Sequence, residues 1–246
     1  MKKFFYLIIA LALSTSNAMA FEFENEPEEG LSWMGLFGMN ISKIQNSAYN
    51  TKAGAQMGIR ADFMLPKAHG TYLTAGLDWT MKGGKLGDVA FLVGNDAYEG
   101  SLKYALHYIE IPVRVGFRYN LLDNLGFYGE MGPYFAIGVG GRHKCSIDGD
   151  GQAVRDAEDE LIYQAFKNYD FDINNPNKLS FQRWDAGIGF RIGAEYEQRY
   201  NLLIGCDWGL ADIFRTSLRD AVRDQTGATL AKVRNFNFSI TFGYRF

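Results

Sequence analysis

The 246-residue sequence predicts an all-β fold: an eight-stranded antiparallel up-and-down transmembrane β-barrel with a short loop helix. Three observations carry that expectation. The last stretch, Val233 to Phe246, places Phe236, Phe238, Ile240, Phe242, Tyr244 and Phe246 on one parity. Asn235, Asn237, Ser239, Thr241, Gly243 and Arg245 take the other. Such alternation is about twice as long as an ordinary globular strand and matches the roughly nine to eleven residues that cross a bilayer at a tilt. Similar alternation recurs upstream. Finally, beyond the N-terminal segment no run reaches the roughly 18 consecutive apolar residues of a membrane helix, so any crossing must use strands.

Lys2 and Lys3 precede the apolar run Phe4 to Leu13, and Ala18-Met19-Ala20 supplies a small-x-small cleavage site. Basic n-region, short h-region and small residues in that order read as a secretory signal peptide over residues 1–20. The acidic segment 21–30 reads as a periplasmic leader, and 31–246 as one outer-membrane β-barrel domain. No cysteine stands at the cleavage point to receive a lipid.

The first strand spans about Leu31 to Ile41 and the second about Ala53 to Leu65, each with apolar and polar residues on opposite faces. Pro66 to Gly70 is a compact turn into the third strand, about Thr71 to Met81. Gly83 to about Leu102 reads as a long connection. The fourth strand (about Lys103 to Tyr119) and the fifth (about Leu125 to Gly141) flank a tight turn at Leu122-Asp123-Asn124. Pro112 and Pro133 each remove a ladder donor, which predicts a bulge or kink beside them. The longest connection, His143 to Ser180, holds the helical spacing Leu161, Ile162, Ala165, Phe166 and Tyr169, predicting a short helix within Val154 to Tyr169. The sixth strand, about Phe181 to Glu197, turns at Gln198 to Tyr200 into the seventh, about Asn201 to Ala211. A polar loop, Ile213 to Lys232, leads to the eighth. Alternating long and short connections are the asymmetry of outer-membrane barrels, and an even count returns both termini to the periplasmic side.

Alternation also suits a soluble, lipocalin-like barrel, with the faces reversed. Glycine decides between them. Gly58, Gly76, Gly116, Gly132, Gly138, Gly187, Gly189, Gly193, Gly205, Gly209 and Gly243 share the polar parity, with Gly35 and Gly129 as exceptions. Small residues belong where a narrow barrel is crowded, so the polar face is the lumen. Trp33, Trp79, Trp184 and Trp208 take the apolar parity near strand ends, as interfacial girdles require. The lumen then holds Arg60, Lys82, Arg114, Arg118, Arg142, Arg183, Arg191 and Arg245 against Asp62, Asp78, Glu110, Glu130, Asp185, Glu195 and Asp207. Nearly balanced charge in so narrow a barrel predicts a plug, not a pore. Removing one partner of such a network strands the other, so Glu110→Ala is expected to cost roughly 3 kcal/mol.

A net charge of -3 and a pI near 5.7 argue against nucleic acid as a partner. Cys145, expected in a loop, and Cys206, mid-strand on the apolar parity, read chiefly as unpaired thiols. His143 with Ser146 and Asp148 near the outer rim could form an acyl-transfer site, but neighbours in a loop are weak support for it. Asp148-Gly149-Asp150-Gly151 followed by Asp156, Glu158, Asp159 and Glu160 hints at calcium, yet lacks the spacing of an EF-hand loop. A polar rim and a solvated acidic loop are the simpler readings. His107 reads as an interfacial side chain. Accordingly no catalytic, cofactor-binding or metal-binding residue, and no cofactor, is assigned.

YIEIPVRVGFRYN (Tyr108 to Asn120), GPYFAIGVGG (Gly132 to Gly141) and RWDAGIGFRIGAEY (Arg183 to Tyr196) together resemble the PorT-like outer-membrane β-barrel family abundant in Bacteroidota. The resemblance extends over the whole chain after residue 20, and Glu110-Ile111-Pro112 following Tyr108 is its most telling piece. It implies an eight-stranded barrel, a C-terminal strand read by the barrel-assembly machinery, and no catalytic residue to carry over. The expected function is a small outer-membrane barrel with a side-chain-filled lumen and a structural or surface-interaction role through its external loops. It would touch outer-membrane lipid and an envelope or extracellular protein. The alternatives are a PorT-like component of protein secretion, a small porin, and a lipid-modifying enzyme.

Overall fold

The computed structural model describes residues 30–46, 48, 50–93, 96–169 and 181–246. The expected signal peptide at 1–20 and the leader at 21–30 lie outside the described residues, except for Gly30, which opens the first strand. Eight long strands follow: β1 (Gly30–Gln45), β2 (Lys52–Met64), β3 (Thr71–Val93), β4 (Asp96–Leu122), β5 (Leu125–Ile147), β6 (Trp184–Tyr196), β7 (Tyr200–Gly209) and β8 (Arg234–Arg245). Each pairs antiparallel with its sequence neighbour. The ring closes through β1 and β8, with Phe37 opposite Phe242 and Met39 opposite Ile240. Within the ring, closure leaves no sheet edge and every strand has two ladders; above it β3 beyond Thr80 loses its ladder with β2, and β5 beyond Ile137 its ladder with β6.

The outward face is apolar, with Phe37 65 % and Phe135 60 % exposed, while Arg60 on the inward face is 1 % exposed. Trp184 and Tyr196 lie at opposite ends of β6. Twelve positions at about 3.3 Å rise and about 40° tilt give an apolar band roughly 30 Å tall between them, enough to cross a bilayer. At the short-turn end the termini of the ring meet, and the Phe246 N–H donates to the Trp33 carbonyl at 2.9 Å.

Glycines line the lumen because the side chain of the residue directly opposite on the neighbouring strand occupies their Cβ positions. A Cβ at Gly58 would fall 2.0 Å from Asp78 Oδ1, at Gly116 2.3 Å from the Tyr72 ring, and at Gly193 2.3 Å from the Tyr128 ring. At the exceptions, Gly35 and Gly129, a Cβ would meet nothing closer than 3.7 Å.

Four expectations are corrected. The stretch Gly83 to Leu102 is a hairpin, not an open connection: β3 and β4 stay paired from Gly83↔Ala105 to Val93↔Asp96, and β5 continues beside them to Ile147↔Gly100. Polar and glycine residues there read as a loop because one side of this extension faces solvent. The register runs unshifted past Pro112 and Pro133, since Pro112↔Tyr134 and Val115↔Met131 share one alignment. The ladder slips instead at His107/Tyr108, where Val139 is the extra residue on β5, and again beside the short turn at Asn120/Leu122. The expected loop helix is α1 (Gln152–Glu160), earlier and shorter than Val154 to Tyr169, and a second helix, α2 (Thr216–Thr226), occupies the polar loop before β8. Cys145 lies on β5 and not in a loop, and it and Cys206 are both free thiols.

Candidate functional site

The lumen fills in three tiers of charge. Nearest the long loops, Lys82 Nζ pairs with Glu110 at 2.6 Å and with Asp185 at 3.2 Å, and Asn235 donates to Asp185 at 2.9 Å. In the middle tier Arg60 bridges Glu130 (2.8 Å) and Asp78 (3.1 Å), Arg114 bridges Glu130 and Asp207, and Arg191 reaches Asp207 and Asp78. Nearest the short turns, Arg245 holds Asp62 and Glu195, both at 2.9 Å, and Arg118 lies against the same two carboxylates. Arg118 also stands over the Tyr72 and Tyr128 rings. Six cations thus face seven anions, all buried. The low-dielectric wall makes each pair strong and each unpaired member costly, so the tiers lock the strands to one another.

Apolar layers close the tube above and below. Met34, Leu36, Met64, Tyr72, Tyr128 and Leu203 form a floor toward the short turns. At the other end Phe166 lies over Gly138, where a Cβ would come within 2.2 Å of its ring, and packs edge-on to Tyr108. Phe181 meets Tyr104, His143 and Phe214 edge-on or tilted. Ile213, Leu218, Val222 and Val233 complete this ceiling.

Three connections stitch the ceiling together. Arg215 donates to the Phe181 and Phe166 carbonyls at 3.1 Å each, tying the loop after β7 to the one after β5. Arg219 on α2 pairs with Asp212 and donates to the carbonyls of Leu230 and Ala231. Glu158 on α1 accepts the Ile147 N–H at 2.6 Å and fixes that helix to the end of β5. Cys145 lies beneath, its thiol pushed up to about 11 by burial and by the Glu158 carboxylate.

Sequence-derived candidates separate. His143 faces inward and is 2 % exposed, whereas Ser146 and Asp148 face out. His143 and Ser146, an odd and an even position of β5, point to opposite faces, so the three cannot form a relay. Asp156 accepts from Gln152 and Glu158 is committed to Ile147, which disperses the acidic stretch. Among the described residues no three His, Cys, Asp or Glu side chains converge on a metal position. His107 stacks on Trp79 at 5.4 Å, at the rim of the apolar band.

Arg142 and Arg183 do not belong to the lumen; both are exposed. The slip at Val139, with Gly141 at φ 150°, reverses the parity of β5, so His143 turns inward and Arg142 outward. Arg183 precedes the first ladder residue of β6, and Phe166 fills the place expected for it above Gly138. The glycine run Gly138 to Gly141, broken only by Val139, was the available signal for a bulge. Together Arg142, Arg183, Gly140, Gly141, Phe166 and Lys167 line most of an outward cleft of about 340 Å³. A second, apolar groove of about 550 Å³ lies on the lipid-facing wall beside Gly35, between Phe37, Met57, Leu77 and Trp79.

Residues 19–215 match the family described as outer membrane protein beta-barrel domain. No curated protein matches the sequence. Among solved structures, the chain is similar to Ail, the attachment invasion locus protein of Yersinia pestis, at 13 % identity and TM-score 0.38 over 89 % of this chain and 100 % of that one. It is also similar to Neisserial surface protein A (11 %, TM-score 0.42, 89 % and 98 %) and to OprG from Pseudomonas aeruginosa (10 %, TM-score 0.40, 89 % and 97 %).

Proposed function

The chain belongs to the outer membrane protein beta-barrel domain family, and from that premise we propose a sealed, non-enzymatic barrel whose capped long-loop end faces outward and meets an envelope or extracellular protein. The observation that carries this reading is the pairing of a filled lumen with a built cap. A tube closed by three tiers of ion pairs, an apolar floor and an aromatic ceiling leaves no path for solute. Meanwhile β3, β4 and β5 rise beyond the apolar band with α1 packed against β3 and β5, and α2 joins the ceiling through Leu218 and Val222, giving a preorganised surface suited to a partner. Gly30, where the described chain begins, and Phe246 stand at the opposite end, which the proposal places in the periplasm.

Mild crosslinking in cells followed by partner identification tests the interaction. Recovery of a protein partner that requires α2 is the expected result; recovery of lipid and assembly factors alone counts against it. The PorT-like resemblance around Tyr108 to Asn120 favours one narrower alternative, a secretion component. That reading predicts cargo retained in the periplasm on deletion, with a co-purifying envelope complex.

A further inference from the structure

Outside the lumen, six cations of the long-loop end gather on one side of the barrel. Lys85 stands directly opposite Lys103, and Lys103 directly opposite Lys144, so three lysines form a row across β3, β4 and β5. All three are exposed on the outward face. Like charges facing each other across a ladder repel and destabilise the sheet. Arg142 lies two residues from Lys144 on the same face of β5, and with Arg183 and Lys167 it lines the 340 Å³ cleft beside Phe166. None of these six cations forms an ion pair with a carboxylate among the described residues. Among the described residues, Arg183 stands over the Phe166 ring and Lys167 over the Tyr169 ring. The contrast with the lumen, where every arginine has a carboxylate, is sharp.

Height along the barrel says what such a row would meet. Arg183 adjoins Trp184, which is 64 % exposed and opposes Ile137 at the upper edge of the apolar band. Met81 opposes His107, the rim residue stacked on Trp79, and Lys85 and Lys103 lie four positions further along β3 and β4. Interfacial tryptophans mark the headgroup level, so the cations stand at and just beyond it, where lipid phosphates lie.

We propose that the cleft at Arg142 and Arg183, with the lysine row beside it, binds the phosphate groups of an anionic lipid headgroup in the surrounding leaflet. Guanidinium groups match phosphate oxygens two at a time, and the lysines supply point charges. The bound phosphates offset the repulsion within the row. Gly140 and Gly141 keep the cleft wall low enough for a headgroup to approach. The site uses no residue of the lumen, and it rests on the membrane placement proposed above only for its height, not for which leaflet faces outward.

The test uses the full chain folded in zwitterionic micelles and titrated with a bis-phosphorylated lipid A, the same lipid after dephosphorylation, and inorganic phosphate. Bound lipid is counted by native mass spectrometry. The phosphorylated lipid is expected to bind, and Arg142→Gln with Arg183→Gln to weaken it about thirtyfold, at roughly fivefold per basic residue. The triple variant Lys85→Gln, Lys103→Gln, Lys144→Gln is expected to raise the urea midpoint without lipid and to lose the further rise that phosphorylated lipid gives the wild type. Equal binding of the dephosphorylated lipid, or unchanged affinity in both variants, overturns the site. Binding of inorganic phosphate as tight as that of the lipid reassigns it to a free anion and overturns the lipid reading. Micelles are blind to orientation, so these outcomes leave the outward placement of the cap to be judged separately, by labelling of Lys103 in whole cells with an impermeant reagent.

Discussion

Lys82 shows how a single residue in the lumen should be weighed. It is the one cation paired with Glu110 among the described residues, and it also holds Asp185. Lys82→Met therefore strands Glu110 in a dry interior and is expected to lower the unfolding free energy by about 3–5 kcal/mol. Glu110→Ala leaves Lys82 with Asp185 and makes the buried charges six against six, so its cost falls to about 1–2 kcal/mol, below the roughly 3 kcal/mol that the sequence suggested. Urea unfolding in lipid vesicles followed by tryptophan fluorescence distinguishes the two; equal losses would mean that Asp185 does not hold Lys82. Gly138 is a second residue with a defined cost. Gly138→Val would drive its side chain into the Phe166 ring, 2.2 Å from where the Cβ would stand, and is expected to destabilise the ceiling by about 1–3 kcal/mol.

Among the elements, the cap turns on Arg215, whose guanidinium joins two loops by their carbonyls. A charged donor to a buried carbonyl contributes about 1.5–3 kcal/mol, so Arg215→Ala is expected to open the cap at least tenfold more often. Cys145 reports that opening. Its thiol is raised to about 11, so at pH 8 the thiolate is scarce and alkylation is slow; the rate is expected to climb as pH rises toward 11 and to rise at fixed pH in Arg215→Ala. A Cys145 that reacts at the same rate in both proteins would show that Arg215 does not secure the cap. The extended hairpin of β3 and β4 was only half legible in the sequence. Its inner positions Leu102, Tyr104 and Leu106 are apolar, but Lys85, Lys103, Gly83 and Gly84 obscure the alternation. What makes it a strand is the ceiling packed on one side, which no local pattern announces.

At the scale of the molecule, the filled lumen predicts an absence of unitary conductance in planar bilayers. A steady open channel in the wild type would contradict the sealed tube. Phe246 contributes through the rim: its N–H holds the Trp33 carbonyl, its ring packs edge-on to Tyr244, and it is 79 % exposed. Deleting it is expected to lower the yield of inserted barrel while leaving the fold of inserted molecules unchanged; an undiminished yield would remove that role.

The sequence by itself determined the ring. Period-2 alternation sets which face each strand turns to lipid, the glycine parity assigns the lumen, and the charges on that parity name most of the plug, because each of these follows from the geometry of a single strand. Asp62, Asp78, Glu110, Glu130, Asp185, Glu195 and Asp207 are all buried as their parity requires. Tertiary structure alone decided the rest. Which carboxylate meets which arginine depends on register across strands far apart in the chain. The bulge at Val139, whose site only the ladder with β4 fixes, moves Arg142 from the lumen to the surface, and the ladder's start at Trp184 does the same for Arg183. The cap forms because Phe166, Phe181 and Phe214 find one another over a tube they do not belong to, a contact set by closure of the barrel and not by any local signal.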